Sequence, residues 1–286
     1  MRNTFIDHLI RKAGHDPSVF LVVGDLGFSV VEPFVQQFPE RFLNAGVAEQ
    51  NMTALAAGLA KEGFHSFTYS IANFTTLRCL EQIRNDVCYH RLPVCVVSVG
   101  GGFMYGNLGP THHATEDIAV MRALPHMRVF VPFSKTSTRQ AIDEILSEPG
   151  PAYLRLGRED VPWDRVSDNG FTQIAAAGSA ARRAVISVGQ LSQGTVDLAR
   201  EQGADLYALC RIKPLPPHTR SLLERYDSIT VVEDHQFHGG ATSALAELLS
   251  PIQSLSIRDA FSPWVAKEAE QRRRMIRRSA AEGEDA

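Results

Sequence analysis

Along residues 19–157, short apolar runs rich in β-branched residues alternate with segments in which apolar positions recur at helical spacing. VFLVVG (19–24), HSFTYS (65–70), VCVVSVG (94–100), RVFVP (128–132) and AYLRLG (152–157) read as strands. Between them, 49–62, 74–90, about 115–124 and 134–146 read as helices. Strands that are apolar on both faces and separated by helices predict a mainly parallel sheet flanked by helices, an α/β unit closing near residue 158.

The next stretch, EDVPWDRVSDNG (159–170), interrupts every period with Pro, Asp, Asn and Gly and reads as a linker. A second, smaller α/β unit follows, with AVISVG, DLYALC, SITVVED and SLSIRD as strands and 192–202, 217–226 and 241–249 as helices. The expected organisation is therefore a first domain at 1–160, a linker at 161–171 and a second domain at 172–286. The charged end, KEAEQRRRMIRRSAAEGEDA (267–286), is expected to be a short helix fraying into a tail.

The chain has 286 residues, 44% of them hydrophobic and 21% charged, with a net charge of -3. That composition fits two compact cores and lacks the basic excess that nucleic-acid binding requires. No apolar stretch approaches a membrane span, and residues 1–11 carry charges and a His where a signal peptide needs an apolar core. A cytoplasmic protein is expected. Cys79, Cys88, Cys95 and Cys210 form no CxxC pair and are read as buried thiols.

Three segments carry candidate chemistry. In NAGVAEQNMTALAAGLAKEG (44–63), a strand end turns directly into an Ala-rich helix with Glu49 in its first turn. An acid there complements the helix dipole, yet strand ends followed by helix starts are also where open α/β sheets place ligands; spacing alone leaves both readings open. In SIANFTTLRCLEQIRND (70–86), Phe74, Leu77, Leu80 and Ile83 recur at helical spacing as a packing face. Arg78, Glu81, Gln82, Arg84 and Asn85 are too many polar groups for a buried helix, so one face must meet water, a ligand or a subunit. In SVGGGFMYGNLGPTHHATED (98–117), a glycine-rich loop leads to His112 and His113. It has neither GxGxxG spacing nor a P-loop lysine, and the His pair has no metal-ligand spacing, so no metal ligand is assigned to this chain.

Taken in order, GVAEQNM, LEQIRNDV, GPTHHATEDIAVMRALP and PAYLRLGRE resemble the pyrimidine-binding domain of transketolases and of 1-deoxyxylulose-5-phosphate synthases. Residues 172–265, with IKPLPP and VVEDHQFHGGATSALAELL, resemble their C-terminal domain. The resemblance implies thiamine diphosphate held between the pyrimidine domain of one subunit and the diphosphate-binding domain of another. This sequence has GDL at 24–26 and no GDG motif with its metal-binding Asn element. A separate partner subunit, the N-terminal part of a split transketolase, is thus expected to hold the diphosphate and Mg²⁺ or Ca²⁺, with this chain self-dimerising inside a heterotetramer.

On the matching positions, Glu49 is the implied cofactor-activating glutamate, hydrogen-bonding the aminopyrimidine and promoting the tautomer that deprotonates the thiazolium carbon. A carboxyl group shielded from water suits the sharing of a proton with a ring nitrogen. Asp25 falls near the cofactor and subunit interface, Ser29 on a substrate-phosphate contact, His112 on the GPTH histidine facing substrate oxygens, and Arg158 on an arginine suited to clamp phosphate or carboxylate. Arg155, three residues earlier, is the alternative to Arg158. The sequence also departs from the family: Ala72 and Thr75 replace members of the aromatic cluster over the pyrimidine, leaving Phe74, one position off, as the stacking ring. Leu108 replaces an acid before GPTH, and Gly100 replaces a histidine at the strand end, which puts the donor and acceptor sugars in doubt.

The implied activity is transfer of a two-carbon ketol unit between sugar phosphates, a transferase of aldehyde or ketone residues. Condensation or decarboxylation of pyruvate, as in deoxyxylulose-phosphate synthase or a 2-oxoacid dehydrogenase β subunit, is the alternative chemistry; GPTHHATED and LEQIRND favour the transketolase side. A non-catalytic regulatory homologue is the alternative of another class, opposed by the retention of Glu49, His112 and Arg158.

Overall fold

The computed structural model describes residues 1–157, 163 and 170–249, together with the backbone of 255–257 and 276–278. Two sheets carry the architecture. The first has seven strands in the order β10-β5-β6-β4-β3-β1-β2. These are β1 (Val19–Val23), β2 (Phe42–Asn44), β3 (His65–Ile71), β4 (Val94–Val99), β5 (Arg128–Phe130), β6 (Ala152–Leu156) and β10 (Arg211–Lys213). All neighbours are parallel except β10, which runs antiparallel to β5. The second sheet has the order β11-β8-β9-β7, built from β7 (Phe171–Ala175), β8 (Arg183–Val188), β9 (Asp205–Leu209) and β11 (Ser228–Glu233). The expected α/β class, with mainly parallel sheets flanked by helices, is the observed one.

Parallel strands buried on both faces need helices on both sides. On one face α1 (Arg2–Ala13), α2 (Glu32–Gln37) and α7 (Lys135–Ser147) cover the first sheet, burying Phe5, Ile6, Leu9, Phe34 and Ile142. On the other, α3 (Glu49–Lys61) lays Met52, Ala56 and Ala60 on Val22 and Val94. The small alanines let that helix lie close to the strands. α7 begins with a capping box, Ser134 and Ser137 each satisfying the other's backbone N–H. In the second unit α8 (Gln193–Glu201), α9 (Thr219–Leu223) and α10 (Ala241–Leu249) flank the sheet. One cluster of buried residues joins the two units, with Val129, Val131 and Tyr153 from the first beside Ile186, Val188 and Leu209 from the second.

Two expectations change. The continuous helix over 74–90 is broken into α4 (Ala72–Thr76), α5 (Leu80–Gln82) and a π-helical turn, Ile83–Cys88. Thr76 Oγ1 donates back to the Ala72 carbonyl at 2.6 Å and Cys79 Sγ to that of Phe74 at 3.3 Å, side-chain bonds that compete with the helical ladder. In the charged end, Ile276–Arg278 is a strand (β13) paired antiparallel with Leu255–Ile257 (β12), not helix; the rest of 267–286 lies outside the described residues. The linker expected at 161–171 is described only at Trp163, Gly170 and Phe171, the last already in β7. All four cysteines are buried and unbridged.

One buried group makes stability pH-dependent. His65 opens β3, stacks on Phe67 with centroids 5.3 Å apart, and its Nε2 has no partner among the described residues. Burial first, then the nearby Arg128 charge, pushes its pKa from 6.5 down to about 4, against a smaller pull from Asp16. Between those values the unfolded chain binds a proton that the folded chain does not, so stability falls as pH falls through that window. We expect a loss of roughly 1 kcal/mol between pH 7.5 and 5.5 that is absent in His65→Phe, read as the difference between urea midpoints of the two proteins. Equal pH dependence in both would contradict it.

Candidate functional site

The strand order places the topological switch of the first sheet between β1 and β3, because the chain runs outward to β2 and then returns to the opposite side of β1. Open α/β sheets bind ligands outside the carboxyl ends of the strands at such a point. The turns after β1, β2, β3 and β4 all end there, and each carries candidate residues.

Glu49 is the first residue of α3 and only 2% exposed. It fits because Gly24, after β1, has no side chain: a Cβ there would lie 3.3 Å from Glu49 Cγ. Glu49 Oε2 accepts from Arg78 Nη1 at 2.6 Å. The other oxygen, Oε1, has no protein donor among the described residues. Thr53 Oγ1 donates to the Glu49 carbonyl at 3.0 Å, and Gln50 Nε2 to the Arg78 carbonyl at 3.1 Å, stitching α3 to the segment after α4.

Arg78 also stacks on Phe74, its guanidinium carbon 4.6 Å from the ring centroid. Phe74 in turn meets His112 edge-on at 5.1 Å. Asn73 Nδ2 donates to the Thr111 carbonyl at 2.8 Å, holding the glycine-rich loop against α4, and Thr111 Oγ1 lies 3.0 Å from His112 Nδ1. Glu49, Arg78, Phe74 and His112 thus form one continuous run of contacts. Nearby, burial pushes the Cys79 thiol up to about 11, so it remains a thiol.

Asp25 follows Gly24 with φ 55°, a left-handed conformation unusual outside glycine. Asn44 at the end of β2 clamps it: the Asp25 N–H donates to Asn44 Oδ1 and Asn44 Nδ2 donates to Asp25 Oδ1, both at 3.0 Å. Ser29 is also left-handed, at φ 62°, and its N–H donates to Oε1 of Glu32 at the start of α2, at 2.7 Å, not to the Glu49 run. Gly100, where the family resemblance expects a histidine, has its side-chain space filled by Tyr105, whose ring lies 2.3 Å from an added Cβ. Leu108 is exposed. Arg158 lies outside the described residues.

Arg155, the alternative to Arg158, is buried and turned inward. Its Nε donates to Asp117 Oδ2 at 2.7 Å and its Nη2 to the carbonyls of Ala114 and Asp234. Burial disfavours its charge, but Asp117 and Tyr153 outweigh that and raise its pKa. Sequence reasoning missed Asp117 and placed Arg78 only among the polar groups of a helix face that meets water, a ligand or a subunit. The available signal for Arg78 was its position one turn after Phe74. Among the described residues, no group of three or more His, Cys, Asp or Glu is placed to hold a metal. An aminopyrimidine ring fits what is present: a shielded carboxylate with one oxygen held and one without a donor, next to a half-buried aromatic face.

Comparison with known proteins follows the same residues. Residues 1–164 match the family described as transketolase, pyrimidine binding domain. The chain is 30% identical to one of the subunits of the apulose-4-phosphate transketolase of Actinobacillus succinogenes, over 87% of this chain and 83% of that one. It is 31% identical to a subunit of the 6-deoxy-6-sulfo-D-fructose transketolase of a Clostridium species, over 91% and 85%. Its fold superposes on a split-gene transketolase solved as an inactive β4 tetramer with a TM-score of 0.77 and 31% identity, covering 87% of this chain and 84% of that one.

Proposed function

Because this chain belongs to the transketolase family, whose pyrimidine-binding domain it carries, we propose that it is the cofactor-activating subunit of a split, thiamine-diphosphate-dependent transketolase that moves a two-carbon ketol unit between sugar phosphates. The observation that carries this reading is Glu49, buried at the sheet's switch point with Oε2 held by Arg78 and Oε1 without a protein donor among the described residues. When bound, thiamine diphosphate supplies the carbanion chemistry at its thiazolium carbon. Glu49 Oε1 holds and exchanges a proton at the pyrimidine ring nitrogen. Arg78 fixes the carboxylate's direction, and Phe74 covers the ring. Asp25, clamped by Asn44, shapes the turn beside the cofactor. His112 presents a proton donor or acceptor to substrate oxygens, and Ser29 and Arg158 contact the substrate phosphate.

The unit at 1–160 carries these groups, with 172–286 as a second domain after the linker at 161–171. The diphosphate and its Mg²⁺ or Ca²⁺ belong to a partner subunit, and two copies of this chain join two partners in a heterotetramer. Exposed apolar side chains support that assembly. Phe28 is 73% exposed and Val47 78%, and Leu77 and Leu108 are exposed as well. All four sit in segments that follow β1, β2, β3 and β4, at the carboxyl end of the first sheet where Glu49 lies. Apolar groups left open around a site mark a surface that another chain covers. No helix among the described residues is long and apolar enough to cross a membrane, and we place the assembly in the cytoplasm. The two relatives above are named for different sugars at 30% and 31% identity, so neither sugar is carried over.

We expect the chain alone to bind thiamine diphosphate and Mg²⁺ weakly and to show no ketol transfer, both being gained on adding the diphosphate-binding subunit. The inactivity of the related β4 tetramer is in keeping with this. Titration calorimetry measures it directly; tight cofactor binding by the purified chain would sink the proposal.

A further inference from the structure

The carboxyl ends of β4, β5 and β6 face those of β8 and β11, and between them lies a cavity of about 560 Å³, the size of a small-molecule site. None of Glu49, Arg78, Phe74 or His112 lines it. In the second sheet β8 lies between β11 and β9, and the chain leaves β8 through α8 toward β9, so the switch point of that sheet falls between β8 and β11. The cavity opens there, on the side where such sheets receive ligands.

Three sets of unused donors converge on it. The first is the start of α8, where Ser192 caps the helix by accepting from the Thr195 N–H at 3.2 Å. The N–H groups of Gln193 and Gly194 have no acceptor among the described residues, and a helix N-terminus favours negative charge. The second is Ser187, which lines the cavity at 2% exposure with no hydrogen-bond partner among the described residues. A hydroxyl lining a cavity without a protein partner is left to hydrogen-bond whatever enters. The third is Arg155, 6% exposed, whose Nε and Nη2 are bonded while Nη1 has no acceptor among the described residues. Nη1 reaches the turn before α8, because a Cβ added to Gly189 would lie 3.8 Å from it. The guanidinium can lie there only because Gly101 is bare; a Cβ at that residue would sit 2.0 Å from Arg155 Nε.

The wall at the end of β11 has another character. Glu233 spends its oxygens capping α10, accepting from the N–H groups of Ala241 and Thr242. Asp234 accepts from the Phe103 N–H through Oδ2 at 2.9 Å, leaving Oδ1 without a donor among the described residues. A ligand here meets the N–H groups at the start of α8, the Ser187 hydroxyl and Arg155 Nη1, and next to Arg155, whose Nη2 donates to the Asp234 carbonyl at 3.0 Å, the carboxylate acceptor of Asp234. We propose that the cavity binds a phosphate monoester with an uncharged, hydroxyl-bearing body. The phosphate lies at the start of α8 against Ser187 and Arg155, and the hydroxyls point toward Asp234.

The test uses the full chain without any partner and reads binding by titration calorimetry with inorganic phosphate, ribose 5-phosphate and adenosine monophosphate. The two esters separate a sugar phosphate from a nucleotide as the source, and the inorganic ion reports the phosphate subsite alone. Ser192→Asp caps α8 as well as serine does but sets a carboxylate where the phosphate would lie, and Ser192→Asn caps it without charge. We expect at least one ester to bind more tightly than inorganic phosphate, Ser192→Asp to weaken it by about tenfold or more, and Ser192→Asn to retain it. Gln190→Glu, on the exposed turn and away from the cap, should weaken it in the same direction. Absence of binding by both esters at about 10 mM, far weaker than ordinary metabolite sites, overturns the proposal. So does equal affinity in Ser192→Asp, or equal loss in Ser192→Asn. Because the readout needs neither cofactor nor turnover, its failure leaves the assignment of Glu49 untouched.

Discussion

In the assembled complex, Glu49→Gln is expected to slow hydrogen–deuterium exchange at the thiazolium carbon of bound thiamine diphosphate by about 10²–10⁴-fold, the scale for loss of a positioned proton-transfer group. Glutamine keeps the length of the side chain and an oxygen for Arg78 but cannot give or take the proton. The structural cost should be small. Arg78 is 47% exposed, so the lost ion pair is worth on the order of 1 kcal/mol or less after solvent screening. Folding, assembly and the contact of Arg78 with Phe74 should therefore survive. Quenched-flow NMR on the complex measures the exchange. If Glu49 served only the dipole of α3, or if the chain were a non-catalytic homologue, exchange in the variant would match wild type, and the site assignment would fail with it.

The largest effect on stability is expected at Asp117. This carboxylate is 1% exposed and accepts from Arg155 Nε at 2.7 Å and from the Tyr153 hydroxyl at 2.5 Å; Tyr153 also lies 2.6 Å from Ser98 Oγ. Asp117→Ala removes the counter-charge of a buried guanidinium and the acceptor of a buried phenol together. Breaking a buried pair from one side costs about 3–5 kcal/mol, because the remaining charge is left uncompensated. Urea denaturation should show that loss, whereas Asp117→Ala combined with Arg155→Met should recover much of it. Asp117 Oδ1 has no partner among the described residues even in the intact network, so an apolar replacement of the whole pair also relieves that penalty. A single-variant cost below about 1 kcal/mol, ordinary for a surface substitution, would mean the pair does not anchor this region.

Much of this molecule follows from local pattern. Apolar runs such as Val19–Val23 and Val94–Val99, alternating with helical periods, specify a parallel sheet covered on both faces, because such strands are stable only when buried twice. The placement of Glu49 at a strand-to-helix turn, the four buried thiols and the lack of a metal-and-diphosphate motif are equally properties of the sequence. The α1 helix is legible as well, with Phe5, Ile6, Leu9 and Ala13 on one face, although its mixed polar residues weaken the period.

What tertiary structure decided are the relations between distant residues. Arg78 reaches Glu49 from 29 positions away because the helix breaks between Thr76 and Leu80, and no period in FTTLRCLEQ announces that break. Arg211–Lys213 leaves the second unit to add an antiparallel strand to the first sheet, and Arg155 turns inward to pair with Asp117 through Nε while its Nη1 reaches Gly189 at the cavity. The cavity at Ser187 exists only because the carboxyl ends of two sheets face one another. Sequence periodicity records which face of an element is apolar; it holds no record of which element that face meets, since the entropy cost of bringing distant segments together is repaid only by packing in the completed fold.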